Sequence, residues 1–176
     1  MINSPSDAVK HGFALVPEDR KGQGLLPDLA VFENMTITNL KKFTAGWFIK
    51  KNQELETANS LVQQLQIRLN SVKQKVTSLS GGNQQKVILA RWLDTNAKIL
   101  IFDEPTRGID VAAKAQIHQL MRKLIEQGAS ILMISSELPE ILEMSDRILV
   151  MHEGKITGEL DRAEATEEKI ISLATQ

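Results

Sequence analysis

The chain has 176 residues, 42% of them hydrophobic and 24% charged, with a formal net charge of −1. This is the balance of a globular domain long enough to bury its own core. The absence of cysteine excludes disulfides, thiolate metal sites and cysteine nucleophiles. The near-neutral charge and 4% aromatic content give no electrostatic or stacking reason to expect nucleic acid.

In chain order, Ser4-Pro5 reads as a helix cap and first helical position, opening a short helix to about Lys10. Phe13–Val16 is a short apolar strand stopped by Pro17. Glu18 to Pro27 is polar, holds two glycines and is expected to be a loop. Helices are expected at about Val31–Leu40 and Gln53–Gln66, the second carrying Leu55, Ala58, Leu61, Val62 and Leu65 at helical spacing. Between them, Trp47-Phe48-Ile49 is an apolar cluster flanked by lysines. It is read either as a docking surface or as packing inside a helical layer, with burial favoured because aromatics generally pack inside.

A third helix follows Ser80. Strand and helix then alternate: strand Lys98–Phe102, a helix ended by Gly128, strand Ser130–Ser135, a helix near Pro139–Met144 and strand Arg147–Met151. Such alternation predicts a parallel sheet covered by helices. Glu153-Gly154-Lys155 is read as a hairpin turn into Ile156–Leu160, and Thr166 opens a terminal helix. No apolar run approaches the ~18 residues of a membrane helix. Asn3–Asp7 interrupts any signal-peptide pattern, so membrane association is expected only through a partner.

Two segments carry chemistry. Ser80-Gly81-Gly82 precedes a long helix whose first N–H groups have no helical acceptor, an arrangement suited to phosphate. The same residues also read as an ordinary cap with flexible glycines. Asp103-Glu104 ends an apolar strand, where ligands of open α/β sheets gather. There Asp103 suits magnesium, usually through water, and Glu104 suits a water that attacks a γ-phosphate. Two solvated carboxylates entering a turn at Pro105 are the plain alternative. Asp110 is either a helix cap or a functional carboxylate. His11, His118 and His152 lack ligand spacing and are read as structural or surface residues.

Taken in order, these segments resemble the nucleotide-binding domain of ATP-binding cassette (ABC) transporters. The resemblance is closest to the C-terminal cassette of tandem-cassette bacterial monosaccharide importers of the ribose, galactose, xylose and autoinducer-2 type. It rests on Leu79–Lys86 with Asn83 where most cassettes have glutamine, on Phe102-Asp103-Glu104-Pro105-Thr106-Arg107-Gly108-Ile109-Asp110-Val111, and on Val16–Gly24. It spans nearly the whole chain.

The resemblance implies a P-loop NTPase-like α/β fold, a parallel sheet with helices on both faces plus a helical subdomain. Residues 22–95 would be that subdomain, 1–21 and 96–151 the α/β core, and 152–176 a C-terminal hairpin strand and helix. It implies that Ser80, Gly81, Gly82 and Gln84 belong to the signature that touches ATP across a dimer. Asp103 matches the Walker B aspartate and metal ligand, Glu104 the catalytic glutamate, and Gly108 to Asp110 the D-loop. Glu18 stands at the Q-loop glutamine and Ser136 at the switch histidine, two departures from the family pattern.

No G-x-x-x-x-G-K-[ST] loop occurs in the sequence, whereas a complete cassette opens with strands and that phosphate-binding (Walker A) loop. The resemblance therefore implies ATP and Mg2+ held in a composite site with a second cassette, not by this chain alone. It implies transmembrane permease subunits as partners, a periplasmic sugar-binding protein indirectly, and a cytoplasmic location on the inner face of the membrane. The alternative is a non-catalytic docking or regulatory module, or a truncated remnant. In isolation the chain is expected to lack ATPase activity and, with its sheet incompletely covered, to self-associate or loosen.

Overall fold

The computed structural model describes residues 1–95 and 97–175. The expected core boundary at 96 and the final residue lie outside them. The chain forms two compact units, Met1–Leu132 and Met133–Gln176.

The first unit opens with α1 (Pro5–Lys10), where Ser4 Oγ accepts from the Asp7 N–H at 3.1 Å. β1 (Phe13–Val16) runs parallel to β4 (Ile99–Asp103), and the sheet order is β1-β4-β5 with β5 at Ser130–Ile134. Side chains alternate across a strand. The paired residues Val16 and Phe102 are fully buried, while Leu15 is 48% and Leu132 52% exposed. Apolar side chains are thus partly exposed on this sheet.

The helical layer holds α2 (Val31–Thr36), α3 (Lys51–Gln64) and α4 (Gly81–Leu93). Met35 of α2 and Val87, Ile88 and Leu89 of α4 have no exposed surface. A buried polar network joins these helices. Arg91 Nε donates to Asn34 O at 2.7 Å and its Nη2 to Asn34 Oδ1 at 3.2 Å. Asn34 Oδ1 also accepts from the Leu26 N–H at 2.8 Å, and Nδ2 donates to Leu26 O at 3.0 Å. The network fixes the strandless segment before α2. α5 (Val111–Glu126) follows β4 and ends before Gly128, whose φ of +91° suits glycine.

Three local readings change. The expected loop after Glu18 contains a turn of π-helix, Arg20–Gly24. It is nucleated by Asp19, whose carboxylate accepts from the Lys21 and Gly22 N–H groups. The helix expected to Leu40 ends as α-helix at Thr36 and continues as a tighter 3-10 run, Ile37–Phe43, broken at Asn39. There the Asn39 amide donates to Asp94 O at 2.9 Å instead of maintaining the helix. Finally, Trp47-Phe48-Ile49 is not buried in the helical layer. It lies on a small hairpin, β2 (Thr44–Ala45) and β3 (Phe48–Ile49), with Trp47 fully exposed.

In the second unit, α6 (Leu138–Met144) and α7 (Glu167–Ala174) accompany β6 (Arg147–His152) and β7 (Lys155–Asp161). Ile148, Val150 and Ile170 form its core, with Leu138, Ile141 and Leu173 packed around them. The sequence pattern placed β6 with the parallel strands. In the structure it lies outside the β1-β4-β5 sheet and pairs with β7 in a two-stranded antiparallel sheet, the hairpin that Glu153-Gly154-Lys155 predicts. The two-residue turn Glu153-Gly154, with φ of +46° and +78°, turns the chain straight back on itself.

Candidate functional site

α4 begins at Gly81 with Ser80 as its N-cap, yet the Ser80 side chain makes no capping bond to the helix backbone. Its hydroxyl accepts instead from Asn83 Nδ2 at 2.9 Å, and Asn83 Oδ1 accepts from the Arg68 N–H at 2.9 Å. The ordinary-cap geometry is therefore absent. The helix presents its first N–H groups and positive dipole end without a side-chain acceptor from Ser80. Ser80 is exposed and Gly81 half-buried.

The two glycines have different neighbours. A Cβ on Gly81 would lie 3.3 Å from Arg20 Nη1, whereas one on Gly82 would lie 2.6 Å from the Ala113 Cβ. Gly82 is therefore required by the close approach of α4 and α5, a reason separate from phosphate access. Gln84 is buried, its amide donating to Leu79 O at 3.2 Å and Val76 O at 3.4 Å. It ties the loop before α4 to the helix.

Asp103 is the last residue of β4 and Glu104 follows with φ of +47°. A non-glycine residue in the left-handed region costs about 1–2 kcal/mol, and such strain clusters at functional sites. The chain then turns through Arg107 N–H to Glu104 O at 3.2 Å and Ile109 N–H to Thr106 O at 3.3 Å. Gly108 takes φ of +67°. Asp110 caps α5, its Oδ1 accepting from the Ala113 N–H at 2.9 Å.

Two arginines tie these segments together. Arg20 donates to Gly81 O at 3.2 Å and to Gly108 O at 3.4 Å. Arg107 forms an ion pair with Glu18. A cleft of about 550 Å³ lies at this junction, lined by Arg20, Gly81, Gln84 and Gly108 among others. A larger one of about 810 Å³, lined by Trp92, Asp94 and Lys98 among others, contains none of the candidate residues. The sequence singled out Glu18, Ser80–Gly82 and Asp110 but gave no role to Arg20 or Arg107. Their contacts join positions far apart in the chain, and only their places beside the motifs marked them.

Ser136 is exposed and belongs to the second unit, between β5 and α6. Beside it, Ser135 Oγ donates to Glu140 Oε2 at 2.6 Å and accepts from the Glu137 N–H at 3.1 Å. Among the described residues no group of three or more His, Cys, Asp or Glu converges as a metal cage. What this chain offers a divalent cation is the strand-end carboxylate of Asp103, a donor that fits Mg2+ completed by water and phosphate oxygens. The open N-terminus of α4 likewise fits a phosphate group. No helix among the described residues is long and apolar enough to cross a membrane.

The ABC transporter family model matches residues 3–107. A ribose import ATP-binding protein of Oceanobacillus iheyensis is 51% identical over 99% of this chain and 35% of its own length. A xylose import ATP-binding protein of Thermoanaerobacter pseudethanolicus is 52% identical over 99% of this chain and 34% of its own. The chain thus spans about a third of the length of the curated relatives it matches. Among solved structures, the ATP-binding cassette MJ1267 of an ABC transporter superposes with a TM-score of 0.78 at 24% identity, covering 99% of this chain and 72% of that one. The dimeric bacterial ABC transporter cassette MJ0796 gives 0.68 at 25% identity, over 86% and 62%. With its parallel sheet, helical layer and open helix start, the chain belongs to the ABC transporter family, within its ATP-binding domain.

Proposed function

We propose that this chain is part of the ATP-binding subunit of an ABC-type monosaccharide importer, and that it presents the α4 N-terminus to ATP held by a second cassette. The observation that carries this reading is the uncapped start of α4, with Ser80 held by Asn83 and Gly81 by Arg20. The relatives' names support the sugar-import assignment, and the dimeric cassette MJ0796 supports pairing of two cassettes.

The Ser80 hydroxyl and the N–H groups of Gly81 and Gly82 meet the γ-phosphate. Their dipoles stabilise its charge without reorganising at the moment of reaction. Asp103 would hold Mg2+, and Glu104, in the left-handed region at the strand end, would orient the attacking water once nucleotide is bound beside them. ATP supplies the driving reaction. This chain's residues position charge and water, with Arg20 joining the α4 start to the turn after β4. The permease subunits anchor the assembly to the membrane, and a periplasmic binding protein delivers the sugar.

The test is the intact importer reconstituted in vesicles. Ser80→Arg fills the phosphate approach with a bulky side chain and should lower ATP-driven sugar uptake at least tenfold while leaving assembly intact. Unchanged uptake would overturn the reading. The isolated chain should show negligible ATPase activity. Robust turnover that Glu104→Gln abolishes would show that the chain needs no partner cassette.

A further inference from the structure

The β2–β3 hairpin stands out from the surface that surrounds it. Its two pairs are Thr44 with Ile49 and Ala45 with Phe48, closed by Gly46 at φ of +60° and Trp47. Below them the Lys50 N–H donates to Phe43 O at 2.8 Å, and Phe43 is buried, so the base is rooted in the helical layer. The tip is not. Trp47 is fully exposed, Phe48 80% and Ile49 52%. A Cβ on Gly46 would meet nothing within 4 Å.

Along the hairpin segment itself the charge is of one sign. From Lys41 to Gln53 the chain carries Lys41, Lys42, Lys50 and Lys51 and no acidic residue, in a protein whose net charge is −1. Lys42 is engaged by Asp94 and Lys51 lies over the Phe32 ring at 5.5 Å. Lys41 and Lys50 are exposed beside the hairpin. Three exposed apolar side chains at the end of a hairpin, flanked by the exposed Lys41 and Lys50, combine the two attractions of an interfacial membrane anchor. Aromatic rings settle at the headgroup level, and lysines bury their stems while meeting anionic phosphates.

We propose that the β2–β3 hairpin inserts its Trp47-Phe48-Ile49 tip into the interface of an anionic lipid bilayer, with Lys41 and Lys50 on the headgroups. An anionic surface is favoured over a protein partner by charge complementarity and by shape. The tip projects instead of forming a groove or a flat face. The contact is separate from the nucleotide chemistry and does not depend on which sugar is carried.

The experiment is cosedimentation of the full chain with vesicles of phosphatidylcholine, alone or mixed with phosphatidylglycerol. Binding is expected only to the mixed vesicles. Trp47→Ala with Phe48→Ala should weaken it at least tenfold, and Lys41→Gln and Lys50→Gln about fivefold each. A second readout uses Trp92→Phe, which leaves Trp47 as the single tryptophan. Its emission should shift to the blue on mixed vesicles and stay unchanged on phosphatidylcholine. No binding to the mixed vesicles, binding that survives loss of both aromatics, or an unshifted Trp47 spectrum would each overturn the proposal. Trp47-dependent capture of the permease in lipid-free detergent, with no vesicle binding, would overturn it in favour of a protein partner.

Discussion

Glu18, in the segment after β1, pairs its carboxylate with the guanidinium of Arg107. The pair connects the segment after β1 with the turn after β4. Arg20 makes a second connection between the same two regions through Gly108 O.

Both side chains of that pair are well exposed, 67% for Arg107 and 44% for Glu18. Exposed ion pairs contribute about 0–1 kcal/mol. Urea unfolding of Glu18→Gln, Arg107→Met and the double variant should therefore give a coupling below about 1 kcal/mol. A coupling well above that would make the pair a structural support instead of a surface link.

Gly82 should tolerate no side chain. Gly82→Ala places a Cβ 2.6 Å from that of Ala113, and overpacking of this kind costs about 1–3 kcal/mol. The clash predicts its own rescue. Gly82→Ala with Ala113→Gly should be less destabilised than the sum of the two single variants, even though glycine within α5 costs about 1 kcal/mol by itself. Thermal melts of the three variants decide the point. Strict additivity would mean that α4 and α5 do not meet at this position.

Much of this architecture was legible in the sequence. Strands β1, β4 and β5 declared themselves as short apolar runs, and the caps Ser4, Asp110 and Thr166 all accept backbone bonds. What was not legible depended on long-range partners. The break at Asn39 follows from Asp94, whereas the β6–β7 hairpin, set by a local turn, was legible at Glu153-Gly154-Lys155. The Trp47 cluster misled because burial is the ordinary fate of aromatics, and a hairpin only two residues long on each side leaves little sequence signal. At the site, the motifs gave the residues. The arginines that join them, and the Asn83 bond that draws Ser80 from its capping role, appeared only in three dimensions.

The Asn34–Arg91 network should be the most sensitive polar point in the helical layer. Asn34 is fully buried and Arg91 nearly so. Burial holds the guanidinium's proton affinity below its ordinary value. Asn34→Ala strands the Leu26 N–H and removes the Oδ1 acceptor from Arg91 Nη2, leaving the Asn34 backbone carbonyl to Nε, which predicts a loss of about 1–3 kcal/mol. Replacing both residues by apolar ones, Asn34→Leu with Arg91→Met, should cost less than that single change, because the Leu26 N–H is unpaired in both but no buried guanidinium is left short of an acceptor. Chemical denaturation of the two variants measures the difference. Equal losses would show that packing, not polar pairing, dominates here.

Lys86 supplies a prediction in pH. It is buried, with Nζ donating to Gln66 O at 3.1 Å and Gln116 Oε1 at 2.9 Å. Burial first, then the charge of Arg68, hold its pKa below the ordinary 10.5. A lysine with a lowered folded pKa penalises the native state while it is protonated in both states. As pH rises through the folded value, the native state releases its proton before the unfolded chain does. The unfolded state then binds more protons, so stability rises with pH until the unfolded lysine also titrates near 10.5. Lys86→Met removes this dependence. The stability difference between the native protein and the variant should therefore grow in the native protein's favour across the alkaline window just below 10.5. Urea midpoints taken at successive pH values on both proteins cancel the other alkaline titrations they share. A flat difference would mean that Lys86 keeps the same proton affinity folded and unfolded, and a falling one that its two acceptors outweigh burial.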